Sequence, residues 1–246
     1  MPAEAHHLTV SVWRGDASGG RYCDYRVPAR ENQTVLDVAT WIQRHAEPGL
    51  AYRFACRVGM CGSCAMMVDG APRWTCRTRV AKVARGGRLR LAPLRNMPVI
   101  RDLAVDMDPF LGAWARAEAR HHPTRSRHDD IARVDPASPE RAAADAGIEC
   151  INCGVCHAAC DTAAAVPEYL GPAALLRAWT LVNDARDGGR EAILAAVSAP
   201  GGCHSCHAIG GCAERCPNGL SPLTAIAGLK RETARGFLRR GGRRNA

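Results

Sequence analysis

The chain carries thirteen cysteines in 246 residues, and their spacing is its main chemical signal. Cys56, Cys61, Cys64 and Cys76 form C-x4-C-x2-C, followed after eleven residues by a fourth Cys. Thiolate sulfur is a soft donor suited to iron, and this spacing is that of a [2Fe-2S] cluster, with three ligands on one loop and the fourth from a following strand. Gly59 and Gly62 suit such a loop, which needs positive φ and N–H groups close to sulfur. Four thiolates also suit tetrahedral zinc, but zinc modules usually pair two short C-x2-C knuckles. Iron is the better reading.

A second set, Cys150, Cys153, Cys156 and Cys160, reads C-x2-C-x2-C-x3-C, a run whose fourth Cys serves the other cluster in two-cluster proteins. The partner run is Cys206, Cys212 and Cys216 before Pro217, with Ile209 where a further thiolate would stand. Cys150, Cys153, Cys156 and Cys216 then make a four-thiolate set, which predicts [4Fe-4S]. Cys160, Cys206 and Cys212 make a three-thiolate set, which predicts [3Fe-4S]. Cys203, three residues before Cys206, is read as an ordinary buried thiol that could still reach a cluster edge, and Cys23 as a non-ligand. Cys153 to His157 and Cys203 to His207 also match the C-x-x-C-H haem attachment pattern. Haem there would strip ligands from otherwise complete cluster runs.

No Gly-rich dinucleotide fingerprint or nucleophile-base pairing accompanies these sets, so the chain reads as an electron wire whose bond-breaking chemistry belongs to a partner. The formal charge is +9 and aromatic residues make up 5% of the chain. Nucleic-acid binding would rest on charge alone, with few rings for base stacking, and is not expected. Arg235, Arg239, Arg240, Arg243 and Arg244 crowd the C-terminal end, which suits an anionic lipid or protein surface as well as a solvated terminus. The N-terminal residues lack the basic and apolar regions of a secretory signal, so a reducing cytoplasm is expected, where cysteines serve as metal ligands. The longest uncharged stretch, Ala192 to Ala213, contains Pro200 and several Gly and is not expected to span a membrane.

Two kinds of element must position these ligands. In the first hundred residues Leu8, Val10 and Val12 alternate with Thr9, Ser11 and Trp13, the period of a strand, and Tyr22 to Val27 should complete a hairpin. Thr34 and Asp37 are spaced as a capping box before a helix whose apolar face is Val35, Val38, Ala39 and Ile42. CAMMVDG and RLRLAP read as further strands, with Asp69 and Gly70 as a tight turn. A small mixed sheet clasping one helix follows. From about Asp106 the pattern becomes Ala-rich, Leu-rich and helical, interrupted by an irregular connection from His121 to Pro139. The expected fold class is therefore α+β, with domains at 1-105 and 106-246.

Together LAYRFACRVGMCGSCAMMVDG, MPVIRDLAVDMDPF, CINCGVCHAAC, EYLGPAALL and CAERCPNGL resemble the iron-sulfur subunits of succinate dehydrogenase and fumarate reductase, over nearly the whole chain. CINCGVCHAAC and GLKRETARGFL look closer to the fumarate reductase type. The resemblance implies an N-terminal β-grasp, plant-type ferredoxin domain and an all-α helical ferredoxin domain. It also implies a flavoprotein subunit carrying covalent FAD, one or more membrane anchor subunits, a quinone, and a peripheral position on the cytoplasmic face of the inner membrane. By the same resemblance, His207 and Lys230 are quinone-site candidates. The chain departs from the family at Asp161, where Pro is usual, and at Thr162, Ala163 and Ala164, where aromatics often help form the quinone pocket. That departure leaves open a soluble complex using a non-quinone carrier, and a zinc-stabilised binding module remains a further alternative.

Overall fold

Val10 and Val12 are fully buried, and their alternation with exposed Thr9 and half-buried Ser11 gives β1 (His7–Asp16) one core-facing side. The computed structural model describes residues 6–242, and for 239–242 the backbone alone. Arg243 and Arg244 of the basic tail lie outside the described residues. β1 pairs antiparallel with β2 (Gly19–Pro28). The capping box forms as the sequence suggests: the Asp37 amide donates to Thr34 Oγ1 (3.2 Å) and the Thr34 amide to Asp37 Oδ2 (3.0 Å). It starts α1 (Val35–His45), which buries Val35, Leu36, Val38, Ala39 and Ile42. β3 (Ala65–Val68) and β4 (Ala71–Trp74) form a hairpin around Asp69 and Gly70. A single helical turn, α2 (Val80–Val83), leads to β5 (Arg88–Ala92).

The sheet order is β2-β1-β5-β3-β4, with β1 and β5 parallel and the other pairs antiparallel. β3 is buried along its whole length, as expected for an inner strand covered on both faces. The core between sheet and helix is built from Val, Leu and Ile, with Met66 beneath α1. A short hairpin, β6 (Val99–Arg101) and β7 (Ala104–Val105), turns at Asp102. The Asp102 carboxylate accepts from Arg14 Nε (2.9 Å) and from the amides of Gly15 (3.1 Å) and Ala51 (2.9 Å). It joins the first hairpin, the cysteine loop and the end of the sheet domain at one buried point.

The second architecture is helical: α3 (Asp108–Arg116), α4 (Pro139–Ile148), α5 (Val155–Ala158), α6 (Asp161–Ala165), α7 (Gly171–Val182), α8 (Arg190–Ser198), α9 (Gly211–Glu214) and α10 (Pro222–Gly242). α7 is buried on nearly every side, which makes it the centre of this unit. The irregular connection is pinned where it begins: Asp187 accepts from the His122 amide (3.0 Å) and the Gly189 amide (2.7 Å), beside His121 Nδ1 at 3.0 Å.

Tertiary contacts divide the chain into residues up to Met107 together with Ile151–Ala159, and Asp108–Cys150 together with residues from Cys160 onward. The excursion of Ile151–Ala159 has a local cause. Asn96 Nδ2 donates to the His157 carbonyl (2.8 Å), and Arg95 donates through Nε and Nη2 to the Ala158 carbonyl (3.2 Å each). They add donors to carbonyls at the C-terminal end of the single turn of α5.

Candidate metal centres

The first cysteine set lies in the irregular segment before β3 and just beyond β4. Arg57, Gly59 and Gly62 all have positive φ, and the curl they make turns amides toward sulfur. Met60 and Cys61 amides point at Cys56 Sγ (3.3 Å each), the Cys56 amide at Cys61 Sγ (3.5 Å), and the Cys76 amide at Cys64 Sγ (3.4 Å). Such donors stabilise negative charge on sulfur. The four thiols differ in surroundings. Cys64 and Cys76 are buried with Leu36, beside Tyr52 and Trp74, whereas Cys61 is exposed and Cys56 half-buried. The Ser63 hydroxyl, 3.0 Å from Cys61 Sγ, is the main cause that lowers the Cys61 thiol to about 6. Burial pushes Cys76 up to about 11. One edge of the set is wet and polarised, the other apolar.

The loop also meets the second run. A Cβ at Gly62 would lie 2.6 Å from Cys153 Cα, so bare backbone packs between Cys61 and Cys64 on one side and Cys153 on the other. Cys156 lies in α5, and His157 Nε2 sits 3.2 Å from the Asn96 carbonyl. Burial lowers the His157 pKa, against the Asn96 contact. Cys150 and Cys216 belong to the helical unit, where Asn218 Nδ2 donates to the Glu149 carbonyl (2.7 Å) and ties the Cys216 segment to the residue before Cys150.

Cys160, Cys206 and Cys212 are close enough to act on one another electrostatically. Cys160 caps α6, and Cys212 sits in α9. The Ala208 amide points at Cys206 Sγ (3.4 Å) from a left-handed backbone position. Burial, reinforced by Cys160 and Cys206, pushes Cys212 up to about 11. The three sulfurs share the neighbourhood of Tyr169, whose buried hydroxyl reaches no partner at full hydrogen-bond geometry among the described residues. Burial first, then these sulfurs, raises the Tyr169 phenol above its usual range. Ile209 is 65% exposed. Cys203 is fully buried, its sulfur 3.9 Å from Thr233 Oγ1, and Cys23 is half-buried on β2. His207 is exposed, as is Asp161, while Lys230 Nζ donates to the Cys206 carbonyl (2.6 Å). Tyr169 is the neighbour that cysteine spacing does not point to; its only signal is its place at the start of EYLGPAALL.

Among the described residues, no three ligating side chains close on the single point that one metal ion would need. The donor chemistry fits iron-sulfur clusters. The sets are all sulfur, amides converge on those sulfurs, and an unpaired buried hydroxyl faces the three-cysteine set.

A five-stranded sheet with a cysteine loop, and helices with two further cysteine runs, define a ferredoxin-type iron-sulfur protein. Residues 9–112 match the family model for a 2Fe-2S iron-sulfur cluster binding domain, and residues 149–221 that for a 4Fe-4S dicluster domain. The fumarate reductase iron-sulfur subunit of Haemophilus influenzae is 34% identical over 226 residues, covering 87% of each chain. The mitochondrial succinate dehydrogenase iron-sulfur subunit 1 of Oryza sativa is 34% identical, covering 93% of this chain and 83% of its own. A chain of the Mycobacterium smegmatis Sdh1 complex in the apo form superposes with a TM-score of 0.82 at 26% identity, covering 94% of this chain and 96% of its own. The chain belongs to the family of succinate dehydrogenase and fumarate reductase iron-sulfur subunits.

Proposed function

We propose that this chain is the electron-transfer subunit of a succinate:quinone oxidoreductase or fumarate reductase complex, linking the FAD of a flavoprotein subunit to a membrane quinone. Bound clusters would supply one-electron carriers: [2Fe-2S] on Cys56, Cys61, Cys64 and Cys76, [4Fe-4S] on Cys150, Cys153, Cys156 and Cys216, and [3Fe-4S] on Cys160, Cys206 and Cys212. The chain's own part is to hold the sulfurs, aim amides at them and keep the carriers close. The packing of Gly62 on Cys153 carries this reading furthest, because it sets the first cysteine loop against the second run. Dicarboxylate chemistry belongs to the flavoprotein.

No helix among the described residues is long and apolar enough to cross a membrane. Attachment then falls to anchor subunits at the cytoplasmic face, with Arg235 and the arginines after it as a basic contact. His207 and Lys230 flank the three-cysteine set as quinone-site candidates. Exposed Asp161 and the absence of aromatics at Thr162, Ala163 and Ala164 favour the second reading, a soluble complex with a non-quinone carrier. Membrane fractionation with succinate-to-quinone assays separates the two. Sedimentation with membranes and quinone reduction support the first, and a fully soluble complex inert toward quinones overturns it.

A further inference from the structure

Tyr169 stands at the three-cysteine set without being one of its ligands. It is 3% exposed, and among the described residues its hydroxyl reaches no partner at full hydrogen-bond geometry, Cys206 being its nearest candidate. Buried hydroxyls are nearly always paired, so an orphan aimed at a site implies a partner that the site supplies. Cys160 and Cys206 pack against the core cluster that holds Tyr169, and of the sulfurs around the phenol Cys206 acts on it most.

The phenol is held in place from both sides. The Tyr169 amide donates to the Val166 carbonyl (3.0 Å), and the Leu170 amide to the Gly201 carbonyl (2.8 Å). Gly201 has φ +77°, and a Cβ there would run into the Glu168 carbonyl. The residue before Tyr169 and the residue after it are thus both docked on the Gly201 turn, which leads into the Cys203–Cys206 segment. That docking fixes the backbone from which the buried ring projects.

We propose that the Tyr169 hydroxyl donates a hydrogen bond to the Cys206 sulfur of the [3Fe-4S] cluster and thereby raises that centre's reduction potential. The inference rests on the assignment of that cluster to Cys160, Cys206 and Cys212. A phenol is protonated at neutral pH and so is a donor. A neutral thiol is a weak acceptor, but sulfur bearing cluster charge accepts strongly. The added electron makes the cluster more negative, so the bond is stronger in the reduced state and favours reduction. Phenylalanine would fill the same space without the bond. Tyr169 is a tuning residue and need not touch substrate.

The test is a redox titration of the purified complex, followed by electron paramagnetic resonance, in the wild type and in Tyr169→Phe. The expected result is an intact oxidised [3Fe-4S] signal, a lower midpoint potential for that centre, and loss of one deuterium-exchangeable proton coupling. The [2Fe-2S] midpoint should not move. An unchanged midpoint with unchanged coupling overturns the proposal. If Tyr169→Phe loses the cluster, 3-fluorotyrosine at position 169 keeps the shape and strengthens the donor; the midpoint should then rise, and no rise overturns the proposal. A wild-type complex with no [3Fe-4S] signal removes the cluster assignment and the hydrogen bond with it. A normal signal unaffected by either substitution removes the hydrogen bond alone.

Discussion

Gly62 and Cys153 pack backbone to backbone: a Cβ on Gly62 would lie 2.6 Å from Cys153 Cα and 3.0 Å from its amide nitrogen. Ninety-one residues apart in sequence, the two bring the loop of the first cysteine set against the second run. On the proposed cluster assignment, the missing side chain would let two carriers lie close together.

Gly62→Ala is expected to fail twice over, because φ is +68° and the added methyl has no room. Strain at positive φ costs about 1 to 3 kcal/mol, and relieving the clash must part the loop from Cys153. The melting temperature should fall, and the [2Fe-2S] absorbance should bleach faster. A variant as stable as wild type with the same bleaching rate would show that the contact is slack.

Ser63→Ala removes the hydroxyl beside Cys61 Sγ. With that donor gone, the reduced, more negative cluster loses stabilisation, and the [2Fe-2S] midpoint should fall. Cys61 is exposed, so folding stability should change little. Potentiometry and thermal melts together distinguish this tuning effect from a structural one.

Asp102→Ala leaves Arg14 and two amides without their shared acceptor and should cost about 3 kcal/mol of stability. Burial alone would raise the carboxyl pKa, but the hydrogen bond from Arg14 and those from the Ala51 and Gly15 amides outweigh it and hold Asp102 below the usual carboxylate value. A depressed pKa contributes stability above the unfolded value, and that contribution is lost as pH falls through the folded one. Urea midpoints measured from pH 6 downward should therefore drop below pH about 4 in the wild type, and the component due to Asp102 should be missing in Asp102→Asn.

On the proposed [3Fe-4S] assignment, Ile209→Cys would supply a fourth thiolate to the third set. Ile209 is 65% exposed, so the change should leave the fold intact. Iron should rise from about nine to about ten per chain, and the oxidised [3Fe-4S] signal should give way to that of a second reduced [4Fe-4S] cluster. Retention of the [3Fe-4S] signal would mean that residue 209 does not stand at the open corner.

Much of the sheet domain is legible locally. The alternation in LTVSVWR, the Thr34 and Asp37 box and the Asp69-Gly70 turn are each short-range signals, and each is present in the fold. The role of Asp102 was not legible, because its partners Arg14, Gly15 and Ala51 are far from it in sequence. Tyr169 was likewise hidden. A tyrosine among apolar residues reads as core, and only burial without a hydrogen-bond partner distinguishes it.

By itself the sequence pointed to the chemistry: thirteen cysteines, eleven of them at cluster spacings, consistent with the 2Fe-2S and 4Fe-4S domains that the chain matches. Ligand spacing is a local property, set by how far a short loop can reach around iron and sulfide. Tertiary structure alone decided that Ile151–Ala159 belongs with the sheet domain, that Gly62 meets Cys153, and that buried Tyr169 packs with Cys160 and Cys206. These relations depend on packing and on the pairing of buried polar groups between distant segments, which no spacing along the chain encodes.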